Sequence, residues 1–298
     1  MNIVISINKP KDITSQDAVT SAKRIMKVKK AGHTGTLDPI ATGLLIICTN
    51  RATRLASYFT DLDKEYTAVM KLGESTDTQD AYGNVIDRSD TVTIQKSSVE
   101  DILKSFKGKI LQEPPMFSAL KHKGKSLYTY ARKGIEIDRK PREITIHSME
   151  LISFHLPFVT FSIVCSKGTY IRTLCHDIGN KIGIGAHLYE LERTAIGQFN
   201  IKNSLTYEEL RSFSEGDQIT KGIYTMNEAL SWLPEYTVKE SLLRPVIHGN
   251  PIKLNTLNLS DDIKLAAGIR IKSPDGTLLA IGSYSDMKNS IKMDVVFA

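Results

Sequence analysis

Cysteine is scarce. The 298 residues contain three, Cys48, Cys165 and Cys175, each in an apolar stretch and none in a CxxC pair. That spacing argues against a disulfide framework or a thiolate zinc site and for small buried side chains in a reducing compartment. The seven histidines form no HExxH pattern, so the sequence makes no case for a metal. Long apolar runs are missing too. Leu44 to Cys48 and Val159 to Cys165 are far too short to span a bilayer. The start, Met-Asn-Ile-Val-Ile-Ser, has no basic region followed by an apolar stretch, which points to a cytoplasmic chain. There is no internal repeat, low-complexity tract or long heptad pattern, and a monomer is expected.

What is present is an ordinary globular composition, 41% hydrophobic and 24% charged. The length suits one large domain plus a small one. The net charge is +6, and it is unevenly spread: Lys104 to Arg142 holds eleven Lys/Arg against three Asp/Glu, a local +8. Phe117, Tyr128 and Tyr130 lie in the same segment. Basic side chains interleaved with aromatics suit phosphate contact and base stacking, and they equally suit a plain solvated face.

Residues 3 to 7 read as a strand. Thr14 or Ser15 can cap a helix whose apolar face is Ala18, Val19, Ala22, Ile25 and Met26. Tyr66, Ala68, Met70 and Leu72 alternate as in a half-buried strand. Ser97 with Glu100 reads as a capping box ahead of Val99, Ile102, Leu103 and Phe106. Val159, Phe161, Ile163 and Cys165 mark another strand, and a helix follows Gly168-Thr169. Strands and helices alternate irregularly, which predicts α+β with a mixed, largely antiparallel sheet. A boundary falls near Pro234 to Glu240. Beyond it, Ser273-Pro274-Asp275-Gly276 between two apolar runs predicts a hairpin in a small β-rich unit.

The loop Gly32 to Gly43 carries the chemical signal. It lacks the Gly-Lys-[Ser/Thr] ending of a P-loop. Pro39 drives Asp38 towards extended angles and removes the following N–H, while the glycines allow close approach of a ligand. A carboxylate so presented can act as nucleophile or base, or simply close an Asx turn.

Gly32 to Leu45 resembles, almost letter for letter, the motif of the bacterial tRNA pseudouridine-55 synthases, the TruB family. Other blocks agree: Asn8-Lys9-Pro10 with Thr14-Ser15, Lys64-Glu65-Tyr66, Thr76-Asp77-Thr78-Gln79-Asp80, Gln112-Glu113-Pro114-Pro115, Ser166 to Leu174, and Gly185 to Leu188 with Leu191 and Arg193-Thr194. The matches span most of residues 8 to 200. One departure is Asp12, where the family usually has glycine; aspartate tolerates left-handed backbone better than most residues. The resemblance implies a pseudouridine-synthase catalytic domain over residues 1–238, with a basic RNA-binding insertion at about 104–142. A small β-rich PUA-like RNA-binding domain over 239–298 is implied mostly by domain order.

By the same resemblance Asp38 is the catalytic aspartate, Tyr66 stacks on the uracil, and Arg172 pairs with Asp38. Leu191 walls the pocket, Tyr170 is a further pocket residue, and His33 helps evert the target nucleotide. Lys9 is a pocket or scaffold residue that joins Lys121 and Arg132 as RNA-binding candidates. The implied partner is the T-arm stem-loop of tRNA, with no cofactor and no metal. Two other readings are a guide-dependent pseudouridine synthase and a tRNA-folding chaperone in which Asp38 only shapes a loop.

Overall fold

The structure is a computed structural model that describes residues 1–90, 92–254, 263 and 265–297. A ten-stranded mixed sheet dominates it. Its principal strands are β1 (Ile3–Lys9), β2 (Ala31–His33), β3 (Thr42–Thr49), β4 (Lys64–Leu72), β5 (Gly108–Gln112), β6 (Arg142–His155), β7 (Phe158–Cys165), β8 (Ala186–Ile196) and β9 (Ile223–Thr225). They run in the order β9-β1-β3-β8-β4-β7-β6-β5, with β2 pairing β3 and a short strand at Phe199–Asn200 pairing β8. The mixed α+β class expected from the sequence is what forms.

Side-chain alternation decides which face each residue serves. On β3, Leu44, Ile46 and Cys48 pack with Phe59, Leu230 and Leu233. Leu45 and Ile47 face the opposite way, onto Ala18, Val19 and Ala22 of helix α1 (Ser15–Ile25). A strand covered on both sides explains the unbroken apolar run. On β4, Tyr66, Ala68, Met70 and Leu72 turn together into a third core. Helices α2 (Lys96–Ser105) and α3 (Ile171–Ile182) cover it with Val99, Leu103, Leu174 and Ile178.

Thr14 is the cap of α1. Its hydroxyl accepts from the Asp17 N–H, and the Asp17 carboxylate accepts from the Thr14 N–H, both at 3.0 Å. Such a cap contributes about 1 kcal/mol. The capping box expected at Ser97 and Glu100 does not form. Helix α2 begins at Lys96, two residues earlier than a Ser97 cap would place it, so Gln95 takes the cap position without a side-chain bond and Ser97 lies inside the first turn.

The C-terminal strands β10 (Glu235–Thr237), β11 (Ile252–Lys253), β12 (Ile269–Lys272), β13 (Leu278–Ser285) and β14 (Ser290–Val296) form a five-stranded sheet in the order β10-β12-β13-β14-β11. The expected hairpin is β12–β13, closed by the Gly276 N–H on the Ser273 carbonyl at 2.9 Å. This sheet does not stand apart. Leu278, Ile281 and Phe297 belong to the core that also holds Phe59 and Leu230, and burying such side chains contributes roughly 1.5–3 kcal/mol each. Arg51 and Arg54 donate to the carbonyls of Phe297 and Val296. Among the described residues no helix is long and apolar enough to cross a membrane.

Candidate active site

The loop between β2 and β3 presents Asp38, and its path is fixed by polar ties to three other segments. The Ser15 hydroxyl receives the Leu37 N–H at 2.7 Å and donates to the Leu37 carbonyl at 3.0 Å. The Asp12 N–H donates to the Pro39 carbonyl at 2.9 Å. Arg193 on β8, only 1% exposed, donates from Nε to Leu44, from Nη2 to Gly35 and from Nη1 to Thr36, at 2.8, 3.1 and 3.4 Å. Gly43 is required where β8 meets β3. Its φ is +103°, and a Cβ there would stand 2.4 Å from the Arg193 carbonyl oxygen.

Arg172 arrives from another direction, in the first turn of α3. Ser166 to Thr169 lead off β7 into the helix, and Tyr170 caps it. The Tyr170 backbone is clamped by the buried Gln112, which accepts its N–H at 2.8 Å and donates to its carbonyl at 3.1 Å. Arg172 Nε lies 3.3 Å from Asp38 Oδ2, an ion contact rather than an aligned hydrogen bond. Nη1 lies 3.9 Å from Asp80 Oδ2, and Nη2 donates to the Phe117 carbonyl at 2.5 Å. The guanidinium therefore sits between two carboxylates, while a carbonyl from the basic insertion reaches it as well.

These residues line a cavity of about 220 Å³. Asp38, Tyr66, Tyr170, Arg172 and Leu191 all line it, and Ala119 of the insertion also reaches its wall. The Asp38 side chain keeps about a third of its surface, 33%. Burial pushes its carboxyl above the usual carboxylate range. Arg172 and Lys9 pull the other way, and Asp80 adds to the rise. Tyr66 is raised as well, chiefly by burial, with Arg193 opposing.

The remaining candidates lie elsewhere. Lys9 is wholly buried behind the loop and donates to the carbonyls of Pro10 and Ile13 at 2.8 and 2.9 Å. Burial holds its ammonium down at about 8. His33 ends β2, one residue before the cavity-lining Thr34, and is not itself on the wall; its Nδ1 is buried without a hydrogen-bond partner. Lys121 and Arg132 are exposed on the insertion, and Arg132 lies 5.4 Å over the Tyr128 ring.

Sequence reasoning gave no role to Arg193, Asp80, Gln112 or Lys64. Two of them carried a usable signal. Lys64 shares the inward phase of Tyr66 on β4, and Arg193 shares that of Leu191 on β8. A cation in an inward position must find buried partners. Lys64 finds the Thr60 and Leu62 carbonyls at 2.5 Å, and burial lowers it to about 8. Among the described residues no cluster of His, Cys, Asp or Glu could hold a metal ion.

The family model for the TruB family pseudouridylate synthase N-terminal domain matches residues 23–171. The model for the tRNA pseudouridylate synthase B C-terminal domain matches 172–248. A protein of Clostridium tetani named tRNA pseudouridine synthase B is 44% identical, over 92% of this chain and 93% of its own length. One of that name from Burkholderia pseudomallei is 40% identical, over 95% and 93%. Among solved structures, a chain of an archaeal box H/ACA sRNP Nop10-Cbf5 complex aligns with 100% of this chain and 86% of its own. The TM-score is 0.71 at 26% identity. A chain of a Cbf5-Nop10-Gar1 complex aligns with 99% and 84%, with a TM-score of 0.73 at 27% identity.

Proposed function

The chain belongs to the TruB family of pseudouridylate synthases and converts uridine to pseudouridine in tRNA, and from there we propose that its target is uridine 55 of the T-loop and that Asp38 is the catalytic residue. The observation that carries this reading is the Asp38 carboxylate, 3.3 Å from Arg172 Nε, on the wall of a cavity that Tyr66 and Leu191 also line. Isomerisation breaks the bond from uracil N1 to ribose C1′ and makes one from C5 to C1′. C5 gives up its proton and N1 acquires one. There is no net redox or hydrolysis, so the reaction needs no cofactor. Asp38 attacks C1′ or takes a sugar proton, and either route needs the carboxylate ionised. Arg172 favours that form against the cost of burial.

A stacked uridine is out of reach of Asp38, so the nucleotide must swing out of the loop. Tyr66 and Leu191 then hold the uracil from either side while it turns. His33, next in the chain to the cavity-lining Thr34, fills the vacated space by stacking. Lys121, Arg132 and the other exposed cations of the insertion bind phosphates, and the PUA-like C-terminal sheet adds a second grip on the same RNA. The enzyme works as a monomer in the cytoplasm.

Tritium release from uracil C5 in a T-arm stem-loop, by wild type and Asp38→Asn, tests the assignment. Release by wild type alone, with both proteins still binding RNA, is expected. Release by Asp38→Asn would remove the aspartate from the chemistry. A folded wild type that binds the stem-loop without releasing tritium would point to a guide-dependent enzyme.

A further inference from the structure

Two loops approach Arg172 from opposite sides, and a surface contact joins them. Asp12 closes the turn after β1 with a left-handed φ of +68°. Its N–H holds the carbonyl of Pro39, the residue after Asp38, at 2.9 Å. Its Oδ1 accepts the hydroxyl of Tyr82. The Tyr82 N–H in turn donates to Asp80 Oδ1 at 3.0 Å. The other Asp80 oxygen is the one 3.9 Å from Arg172, whose Nε meets Asp38. Asp12 and Tyr82 thus complete a ring that runs through Pro39, Asp38, Arg172 and Asp80.

Asp80 is buried and also accepts from the Thr78 hydroxyl at 2.7 Å, whereas Tyr82 is 53% exposed, so the position of the ring depends on the hydroxyl–carboxylate contact more than on burial. The Asp12 contact raises the Tyr82 phenol to about 12, and the hydroxyl is the donor of the pair. Left-handed backbone at a residue with a Cβ is strained, and a charge-assisted hydrogen bond can offset that strain.

We propose that the Asp12–Tyr82 contact is a latch that sets the spacing of Asp38 and Asp80 across Arg172, and that Asp12 and Tyr82 are positioning residues for the isomerisation. The proposal rests on Asp38 being the catalytic carboxylate. Neither residue lines the cavity. Their effect passes through the Pro39 carbonyl and the Asp80 carboxylate, so it belongs in kcat and not in the affinity for RNA.

Steady-state tritium release on a T-arm stem-loop, read beside thermal melting, tests it. Tyr82→Phe should lower kcat about tenfold with KM unchanged, since small misplacements of a reacting group cost at least that much. Asp12→Gly should lower kcat equally while melting no lower than wild type, because glycine relieves the left-handed backbone. Asp12→Asn keeps an acceptor oxygen and the left-handed preference, and should restore the rate. The Asp12→Gly, Tyr82→Phe double variant should be no slower than either single one. Wild-type kcat in both single variants, or additive losses in the double one, would overturn the latch alone. A wild type that releases no tritium would overturn the isomerase reading and the latch with it.

Discussion

The cavity and the basic insertion are both rich in cations, but they hold them in opposite ways. Around Asp38, Lys9, Lys64, Arg172 and Arg193 are all buried, and each is tied to one or more backbone carbonyls. Across residues 104–142 most cations are exposed: Lys104 and Lys109 keep 71% and 72% of their side-chain surface, and the acids they pair with are exposed too. A buried cation on fixed carbonyls cannot follow a moving ligand; it holds a geometry. An exposed one adjusts to any phosphate and is screened by salt. The first region suits orientation and the second attraction, and each half of that contrast can be tested separately.

The largest effect should come from Arg172→Ala. It leaves Asp38 and Asp80 facing each other without a cation, and turnover should fall at least about a hundredfold while stem-loop affinity changes little. A comparable loss of affinity would merge the two regions. Next, Gly43→Ala places a Cβ against the β8 backbone at positive φ and should cost about 3 kcal/mol in denaturant unfolding. Smaller again is the pH effect. Asp38 is raised from 3.8 by burial, so the acid limb of kcat/KM should lie above the ordinary carboxylate range and should move when Arg172 is replaced. An acid limb at or below 3.8 would contradict the desolvation described here. Smallest per residue, Lys121→Ala and Arg132→Ala should each weaken binding only modestly. Each should flatten the plot of log affinity against log salt by about one unit of slope, with kcat untouched. An unchanged salt slope would leave the insertion as a plain solvated face.

Lysine stability sharpens the contrast further. Lys64 has its folded value near 8 against 10.5 for the free side chain, so between those values the unfolded chain binds more protons. Stability should gain from this group as pH rises from about 8 to 10.5. Lys64→Met should remove that gain, measured by denaturant midpoints at both ends of the interval.

The sequence revealed whatever depends on spacing along one segment. Thr14 capped its helix, β4 kept its alternation, and Arg172 fell in the first turn of α3. Asp12, standing where glycine is usual, adopts the left-handed backbone that the departure required. What stayed hidden depends on segments far apart in the chain. Nothing local in Gln112 announces that it brackets Tyr170, and nothing near Arg193 announces that its guanidinium ends on the carbonyls of Gly35 and Thr36. The Ser97–Glu100 pattern failed for the opposite reason. The local signal was present, but the helix began two residues sooner and left the cap position to Gln95.

One pairing in the large sheet runs parallel while its other strand pairs run antiparallel: β8 meets β3 at Glu192 with Thr42 and Arg193 with Gly43. About 150 residues separate the two sides of that contact along the chain. A link of such high contact order closes late, after the local hairpins and helices have formed. During synthesis the Asp38 loop leaves the ribosome early and then waits, without its arginine brace, until β8 has been made. A chain interrupted before that point can fold pieces of sheet but cannot brace its own Asp38 loop.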